Sequence, residues 1–286
     1  MTSVLVLIAA PGSGAINSRV LEALHDHGGK LKWLAEGEAA EIELFADMFK
    51  FGEVLRGLPI DVNLIEKSNR RKKLLIADMD STVIHQECID ELGVMAGVGD
   101  RIKDITERAM RGELDFEGAL KERVGLLKGL DEAVIAQLIR ERITFMEGSK
   151  ILLDTMKANG DYAALVSGGF TAFTSHVATT LGFDENRANT LLIENGKLTG
   201  KVAMPILGKE AKVESLKRIC AARGISQDDV IAVGDGANDI PMLLEAGMGV
   251  ALHAKAKVQE AAPICINHGD LTALLYLQGY HKTDFK

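Results

Sequence analysis

Three short apolar runs in this chain each end on residues able to do chemistry, and that pattern restricts the fold more than any other feature. Leu74-Leu75-Ile76-Ala77 runs into Asp78-Met79-Asp80, Ala163-Ala164-Leu165-Val166 into Ser167-Gly168-Gly169, and Val230-Ile231-Ala232-Val233 into Gly234-Asp235-Gly236. An unbroken apolar run of this length, bounded by polar residues, reads as a strand buried on both faces in a parallel sheet. In open α/β sheets ligands bind outside the carboxyl ends of the strands. Asp78 and Asp80 are therefore expected where chemistry happens. An aspartate can attack phosphorus and form an aspartyl-phosphate. A second carboxyl beside it can protonate the leaving oxygen and then activate water. An isolated Asp-x-Asp is also a common acidic turn, so the rest of the chain must decide.

A chain of 286 residues suits one large domain with appendages, or two to three small units. The net charge of −8 and pI near 5.5 argue against a nucleic-acid or anionic-membrane surface. The basic run Ser68-Asn69-Arg70-Arg71-Lys72-Lys73 reads as a linker. Cys88, Cys220 and Cys265 are odd in number and far apart, with neither a zinc pattern nor a disulfide framework. They read as small buried apolar residues in a reducing cytoplasm. No run approaches the roughly 18 apolar residues of a membrane span. The apolar start, Met1 to Ala10, lacks a basic region and reads as a strand, not a signal peptide.

Residues 1–70 carry the order βαββαβ. Strands are expected at Ser3–Ala9, Lys30–Ala35, Glu41–Phe45 and Asp61–Glu66, with helices from Asn17 or Ser18 to His27 and from Met48 to Arg56. This suggests a small ferredoxin-like α+β unit of the kind seen in amino-acid-sensing ACT domains. Gly12-x-Gly14 reads as a turn, because no dinucleotide fingerprint follows it.

Residues 86–147 change to helical spacing. Ile89-Leu92-Met95-Ala96, Ile102-Ile105-Ala109, Leu120-Val124-Leu127 and Ala133-Leu138-Ile139 form four apolar stripes, which predict a four-helix bundle. Inserted after the first core strand, it would cap the carboxyl edge and exclude water on closing. Glu87, at the entrance to the insert, could meet an ammonium group. Arg123 could clamp a carboxylate, but Arg108, Arg111 and Arg140 compete equally, and a solvated helix face explains each of them. By spacing, Met110 and Phe116 belong to the bundle core.

The core is expected at 72–85 and 148–286. Ser167-Gly168-Gly169 before a helix offers a hydroxyl and backbone N–H groups to a phosphate, or is a plain turn. Asn195-Gly196 between apolar runs predicts a type I′ hairpin. Lys212, early in a helix reaching Arg223, could reach a phosphate oxygen, as could Lys209 or Lys217. Asp235 at a strand end suits Mg²⁺, which takes one or two carboxylates plus substrate phosphate. Asn238 and Asp239 open the next helix, where they can orient ligands or metal-bound water. His176, His253 and His268 lack metal-ligand spacing.

In order along the chain stand Asp-x-Asp, Ser-Gly-Gly, a lysine and Gly-Asp-Gly-x-x-Asp. Together they supply what phosphoryl transfer needs: nucleophile, acid/base, metal and donors for the phosphoryl oxygens. Over about residues 74–275 this order resembles the haloacid-dehalogenase superfamily of aspartate-nucleophile phosphatases. The strings Asp78-Met79-Asp80-Ser81-Thr82-Val83-Ile84 with Glu87, Glu122-Arg123-Val124, Leu126-Leu127-Lys128-Gly129, Val166-Ser167-Gly168-Gly169-Phe170 and Gly234-Asp235-Gly236-Ala237-Asn238-Asp239 resemble its phosphoserine-hydrolysing branch.

The resemblance implies a Rossmann-like parallel-sheet core, an inserted helical cap and a variable N-terminal unit. It implies that Asp78 attacks phosphorus. Asp80 protonates the serine oxygen, activates water and lends its backbone carbonyl to Mg²⁺. Asp78 and Asp235 are then carboxylate ligands, with Asp239 acting through water. Ser167, Gly168, Lys212 and Asn238 hold the phosphoryl group. Glu87 takes the substrate ammonium, Arg123 its carboxylate, and Met110 and Phe116 form an apolar lid. The implied substrate is O-phosphoserine, the L form with the D form also allowed, at the last step of serine biosynthesis. The expected partners are this small molecule alone, without nucleic acid or membrane, and a homodimer is allowed. The alternative is a phosphatase or phosphotransferase of the same superfamily acting on another small phosphate monoester.

Overall fold

The computed structural model describes residues 3–25, 30–43, 55–111 and 113–286. Two sheets organise it. The first is antiparallel with strand order β2-β3-β1-β4, where β1 is Ser3–Ala9, β2 Lys30–Ala35, β3 Ala39–Glu43 and β4 Ile60–Glu66. Helix α1 (Ser18–His25) connects β1 to β2. The strand order is that of a ferredoxin-like sheet and is consistent with the ACT-like expectation. The expected helix over Met48–Arg56 lies mostly outside the described residues, as do residues 26 and 27 at the end of the first.

The second sheet has six strands, all parallel, in the order β12-β11-β10-β5-β6-β7. They are β5 Leu74–Ala77, β6 Tyr162–Phe170, β7 Glu185–Asn189, β10 Val230–Gly234, β11 Met248–Leu252 and β12 Ile264–Ile266. Side chains alternate across a strand. Leu74, Ile76, Val230 and Ala232 accordingly join one apolar core with α8 (Lys209–Arg223), α9 (Ile240–Glu245) and α10 (Ala256–Ala261). Leu75, Ala77, Ile231 and Val233 join the other, with α6 (Ser149–Ala158), α7 (Thr171–Leu181) and α11 (Ala273–Leu277). Two-sided burial is why these strands read as solid apolar runs. Val4, Val6, Ile8 and Ile65 of the first sheet belong to the same cluster as Leu75 and Leu274, so apolar packing is continuous between the two sheets.

Four helices, α2 (Cys88–Met95), α3 (Gly99–Met110), α4 (Phe116–Gly125) and α5 (Ala133–Glu141), form the insert. The connectors to it are zipped together. His85 N donates to Thr144 O (3.1 Å), Met146 N to Val83 O (2.9 Å), and the side chain of Gln86 bonds Thr144 on both sides. The hairpin of β8 (Leu191–Glu194) and β9 (Lys197–Val202) turns at Asn195 and Gly196 with φ of 52° and 75°, the type I′ signature.

Two expectations need correction. The run 68–73 is not a loose linker. Arg70, nearly buried, pairs with Glu41 at 2.5 Å and donates to the carbonyls of Tyr276 and Leu277. Lys72, 6% exposed, donates to the carbonyls of Asn69 and Asp228. An apolar environment forces each cation onto acceptors, and only the fold supplies them. Likewise Ser167-Gly168-Gly169 is no turn before a helix: β6 continues through it to Phe170, with a register shift against β7 between Val166 and Phe170.

Candidate active site

The carboxyl ends of β5, β6 and β10 converge on one cleft. Asp78 follows β5, and its backbone N–H is tied to Val233 O at 3.0 Å. Its Oδ1 accepts from Met79 N (2.8 Å) and lies 2.8 Å from Lys212 Nζ. Lys212, in the first turn of α8, is 1% exposed and also pairs with Asp239. Asp235 follows β10 and accepts a hydrogen bond from the Thr82 hydroxyl at 3.1 Å. Asp239, fully buried, accepts from Gly236 N at 2.9 Å. One oxygen from each of Asp78, Asp235 and Asp239 falls within a 4.8 Å cluster.

The electrostatics of this cluster are unbalanced. Of the three buried carboxylates, Asp78 and Asp239 share Lys212, and Asp235 has no ion-pair partner among the described residues. Burial, then the charge of Asp78, pushes Asp235 up to about 6. The same two causes raise Asp239. Burial opposes the charge of Lys212, but Asp239 and Asp78 more than offset it and hold its pKa above the ordinary value. A divalent cation would relieve the excess negative charge, and an all-oxygen donor set fits Mg²⁺. The residues present therefore fit the metal that the sequence implies.

Asp80 stands apart from Lys212. Its Oδ1 accepts the Cys88 backbone N–H at 3.0 Å, the first residue of α2, and Ser167 Oγ lies 3.4 Å from its Oδ2. Burial is the main cause that raises its pKa. A carboxyl that holds its proton more tightly than usual is suited to general-acid work. Gly169 N in turn donates to Ser167 Oγ at 2.9 Å.

The insert supplies the rest. Glu87, solvent-reachable at the cleft mouth, accepts from Ser81 Oγ at 2.9 Å, and burial and the Asp80 charge raise its pKa. Arg123 is half-buried on α4, with Nε 3.3 Å from Ala119 O and NH1 3.4 Å from Thr106 Oγ1. Burial lowers its pKa, opposed by the nearby charges of Asp90, Glu87 and Asp80. The three competing arginines are committed elsewhere: Arg108 to Glu113 and Glu122, Arg111 to Glu113, Arg140 to Glu141. Among the described residues no carboxylate is within ion-pair distance of Arg123. Phe116, half-buried and packed against the core cluster, also lies over the glycines: a Cβ built on Gly168 would be 3.0 Å from its ring and one on Gly208 3.4 Å. Met110 ends α3, and its side chain lies outside what is described. Asn238 sits half-buried beside Gly236, one residue before the α9 cap.

Two positions were not singled out from sequence. Thr82 reaches Asp235 because Ser81, at φ 53°, turns the chain back. A hydroxyl residue two places after Asp80 is its only sequence signal. Gly169 is required by close approach, since a Cβ there would lie 2.5 Å from Asp80 Oδ2.

Comparison with known proteins agrees with this geometry. The haloacid dehalogenase-like hydrolase family matches residues 75–244. A phosphoserine phosphatase of Haemophilus influenzae is 43% identical over 235 residues, 82% of this chain and 74% of its own. The structure of a probable phosphoserine phosphatase from Vibrio cholerae superposes with TM-score 0.82 at 31% identity, covering 99% of this chain and 88% of that one. A phospho-aspartyl intermediate analogue of a phosphoserine phosphatase superposes with TM-score 0.68 at 43% identity, covering 72% of this chain and 98% of that one.

Proposed function

The chain belongs to the phosphoserine phosphatases within the haloacid dehalogenase-like hydrolases, and from that premise we propose that it hydrolyses O-phospho-L-serine to L-serine and phosphate. One observation carries the reading. A single cleft holds Asp78 under Lys212 and, two residues on, Asp80 bonded instead to the Cys88 N–H and beside the Ser167 hydroxyl.

The residues perform the reaction as follows. Asp78 attacks phosphorus with a carboxylate oxygen while Lys212 holds Oδ1. The bond from phosphorus to the serine oxygen breaks, and Asp80 gives its proton to that oxygen. Serine leaves and the phosphoryl group stays on Asp78. Asp80, now a carboxylate, takes a proton from water as the water oxygen attacks phosphorus, which frees Asp78 and releases phosphate. Ser167 and the Gly168 backbone face the phosphoryl oxygens across the cleft. Glu87 receives the substrate ammonium and Arg123 its carboxylate, under Phe116. Asp78, Asp235 and Asp239, with the Asp80 carbonyl, would hold Mg²⁺, which supplies charge neutralisation for the transferring group. Activity is thus expected to require Mg²⁺.

The test is phosphate release from O-phospho-L-serine, O-phospho-D-serine and a panel of other phosphate esters, for the wild type and Asp78→Asn. Turnover selective for phosphoserine that vanishes in the variant supports substrate and nucleophile together. Turnover of another ester, still dependent on Asp78, keeps the chemistry and overturns the substrate.

A further inference from the structure

Asn189 is the last residue of β7, is 2% exposed, and touches none of the reacting groups. Its amide nevertheless joins two segments that do. Nδ2 donates to Gly168 O at 2.8 Å and to Leu207 O at 3.2 Å, and Oδ1 accepts from Leu207 N at 2.8 Å. Both amide hydrogens and the carbonyl are used, so the side chain serves Leu207 as a neighbouring strand would. Gly168 belongs to the phosphate-facing end of β6. Leu207 lies two residues before α8, whose first turn carries Lys212.

We infer that Asn189 is a positioning residue that fixes the distance between the Gly168 backbone and the start of the Lys212 helix, and so sets the phosphoryl cradle. The inference rests on the phosphatase reading above. The lid reinforces it, because the Phe116 ring rests on Gly168 and Gly208, on the two segments that Asn189 ties together. Glycines alone cannot hold such a seat, since neither has a side chain to anchor it. The amide supplies the anchor from the far side. A misplacement of about 1 Å at such a site costs on the order of 100-fold in rate. The loss should fall on the transition state, whose phosphoryl oxygens need both segments at once. It should spare ground-state binding through Glu87 and Arg123, which the insert carries.

The experiment compares Asn189→Ser and Asn189→Asp with the wild type in the intact chain, with Mg²⁺ present. Ser shortens the reach. Asp keeps the shape but sets an oxygen against the carbonyls of Gly168 and Leu207. Expected are folded proteins by circular dichroism, kcat for phosphoserine lowered about 30- to 100-fold, KM within threefold, and orthovanadate inhibition weakened by the same factor as kcat. Unchanged kcat in a folded variant overturns the inference, and so does a rise in KM with kcat kept. Failure of both variants to fold also overturns it, since Asn189 would then be a structural residue. Wild-type turnover in parallel separates this from the substrate reading: if the wild type prefers another ester, that reading fails and Asn189 is judged on the preferred ester.

Discussion

Thr82 donates to Asp235 from inside the turn that Asp78 and Asp80 begin, and valine in its place would keep the shape while removing the donor. Hydrogen bonds that orient a metal-binding carboxylate are worth about 10- to 100-fold in metal affinity. Thr82→Val should therefore move the midpoint of Mg²⁺-dependent thermal stabilisation to higher Mg²⁺ by that factor; an unmoved midpoint would detach Thr82 from the metal. Arg123→Ala should raise KM for phosphoserine by a factor that corresponds to about 2 kcal/mol, the worth of a charged hydrogen bond. It should leave an ester without a carboxylate unaffected, and equal losses for both substrates would remove Arg123 from recognition. Asp161 offers a pH test away from the site. Burial pushes its carboxyl up to about 6. A raised acid favours the folded state when protonated, so its contribution is full below the unfolded value near 4 and lost as pH rises through about 6. Asp161→Asn should thus be more stable than the wild type at pH 8, by about 1 kcal/mol after discounting for partial exposure, and equal to it at pH 3.5 by urea unfolding. Asp78, Asp80 and Asp235 are legible in the sequence because they come at the ends of unbroken apolar runs. Lys212, Glu87 and Arg123 are not, since a single charge on a helix looks like any other until the fold shows that Lys212 is buried between two aspartates.

The β8–β9 hairpin is fully legible as a turn and not at all as a contact. Gly129 N donates to Leu198 O and Leu198 N to Leu130 O, both at 2.8 Å, and Glu132 N to Gly196 O at 2.9 Å. A hairpin that leaves the core sheet is thus bound by main chain to the insert between α4 and α5. Main-chain pairing with an irregular segment leaves no side-chain pattern, which is why the sequence is silent about it. The sequence is equally silent about β6, which runs on through Ser167-Gly168-Gly169 to Phe170 across a register shift against β7. Gly200 marks the close approach: its φ is 77° and a Cβ would lie 2.9 Å from Lys128 Cβ. Gly200→Ala should cost about 1–2 kcal/mol from backbone strain and displacement of the insert. Urea unfolding would measure it, and a loss under a few tenths would show that the hairpin and the insert do not lean on each other there.

At the scale of the molecule, the first sheet is docked on the second by polar contacts as specific as those of the active site. The Asp61 carboxylate accepts the backbone N–H groups of Asn267 (2.7 Å), His268 (2.9 Å) and Gly269 (2.9 Å), just past β12. Asn63, two residues on and on the same face of β4, bonds both backbone groups of Cys265. Glu41 and Arg70 close the same interface. No buried side-chain N or O among the described residues lacks a partner. A sequence-level reading as separate units joined by a basic linker misses this, because β4 looks like an ordinary alternating strand whose polar face points to water. That face in fact points to the parallel sheet. Here the two sheets share an apolar cluster as well as the Asp61 contact, which argues for one cooperative unit in the wild type. Asp61→Ala leaves three backbone donors without their acceptor, at a cost of about 2–3 kcal/mol, all of it at the interface and none at the site. Scanning calorimetry should show one transition for the wild type. In the variant a lower transition, belonging to the first sheet, should separate from that of the core, while Mg²⁺ still shifts the upper transition alone. If the variant melts in a single unshifted transition, the Asp61 contact does not hold the sheets together. If Mg²⁺ shifts both transitions equally, the sheets remain coupled through their apolar cluster without it.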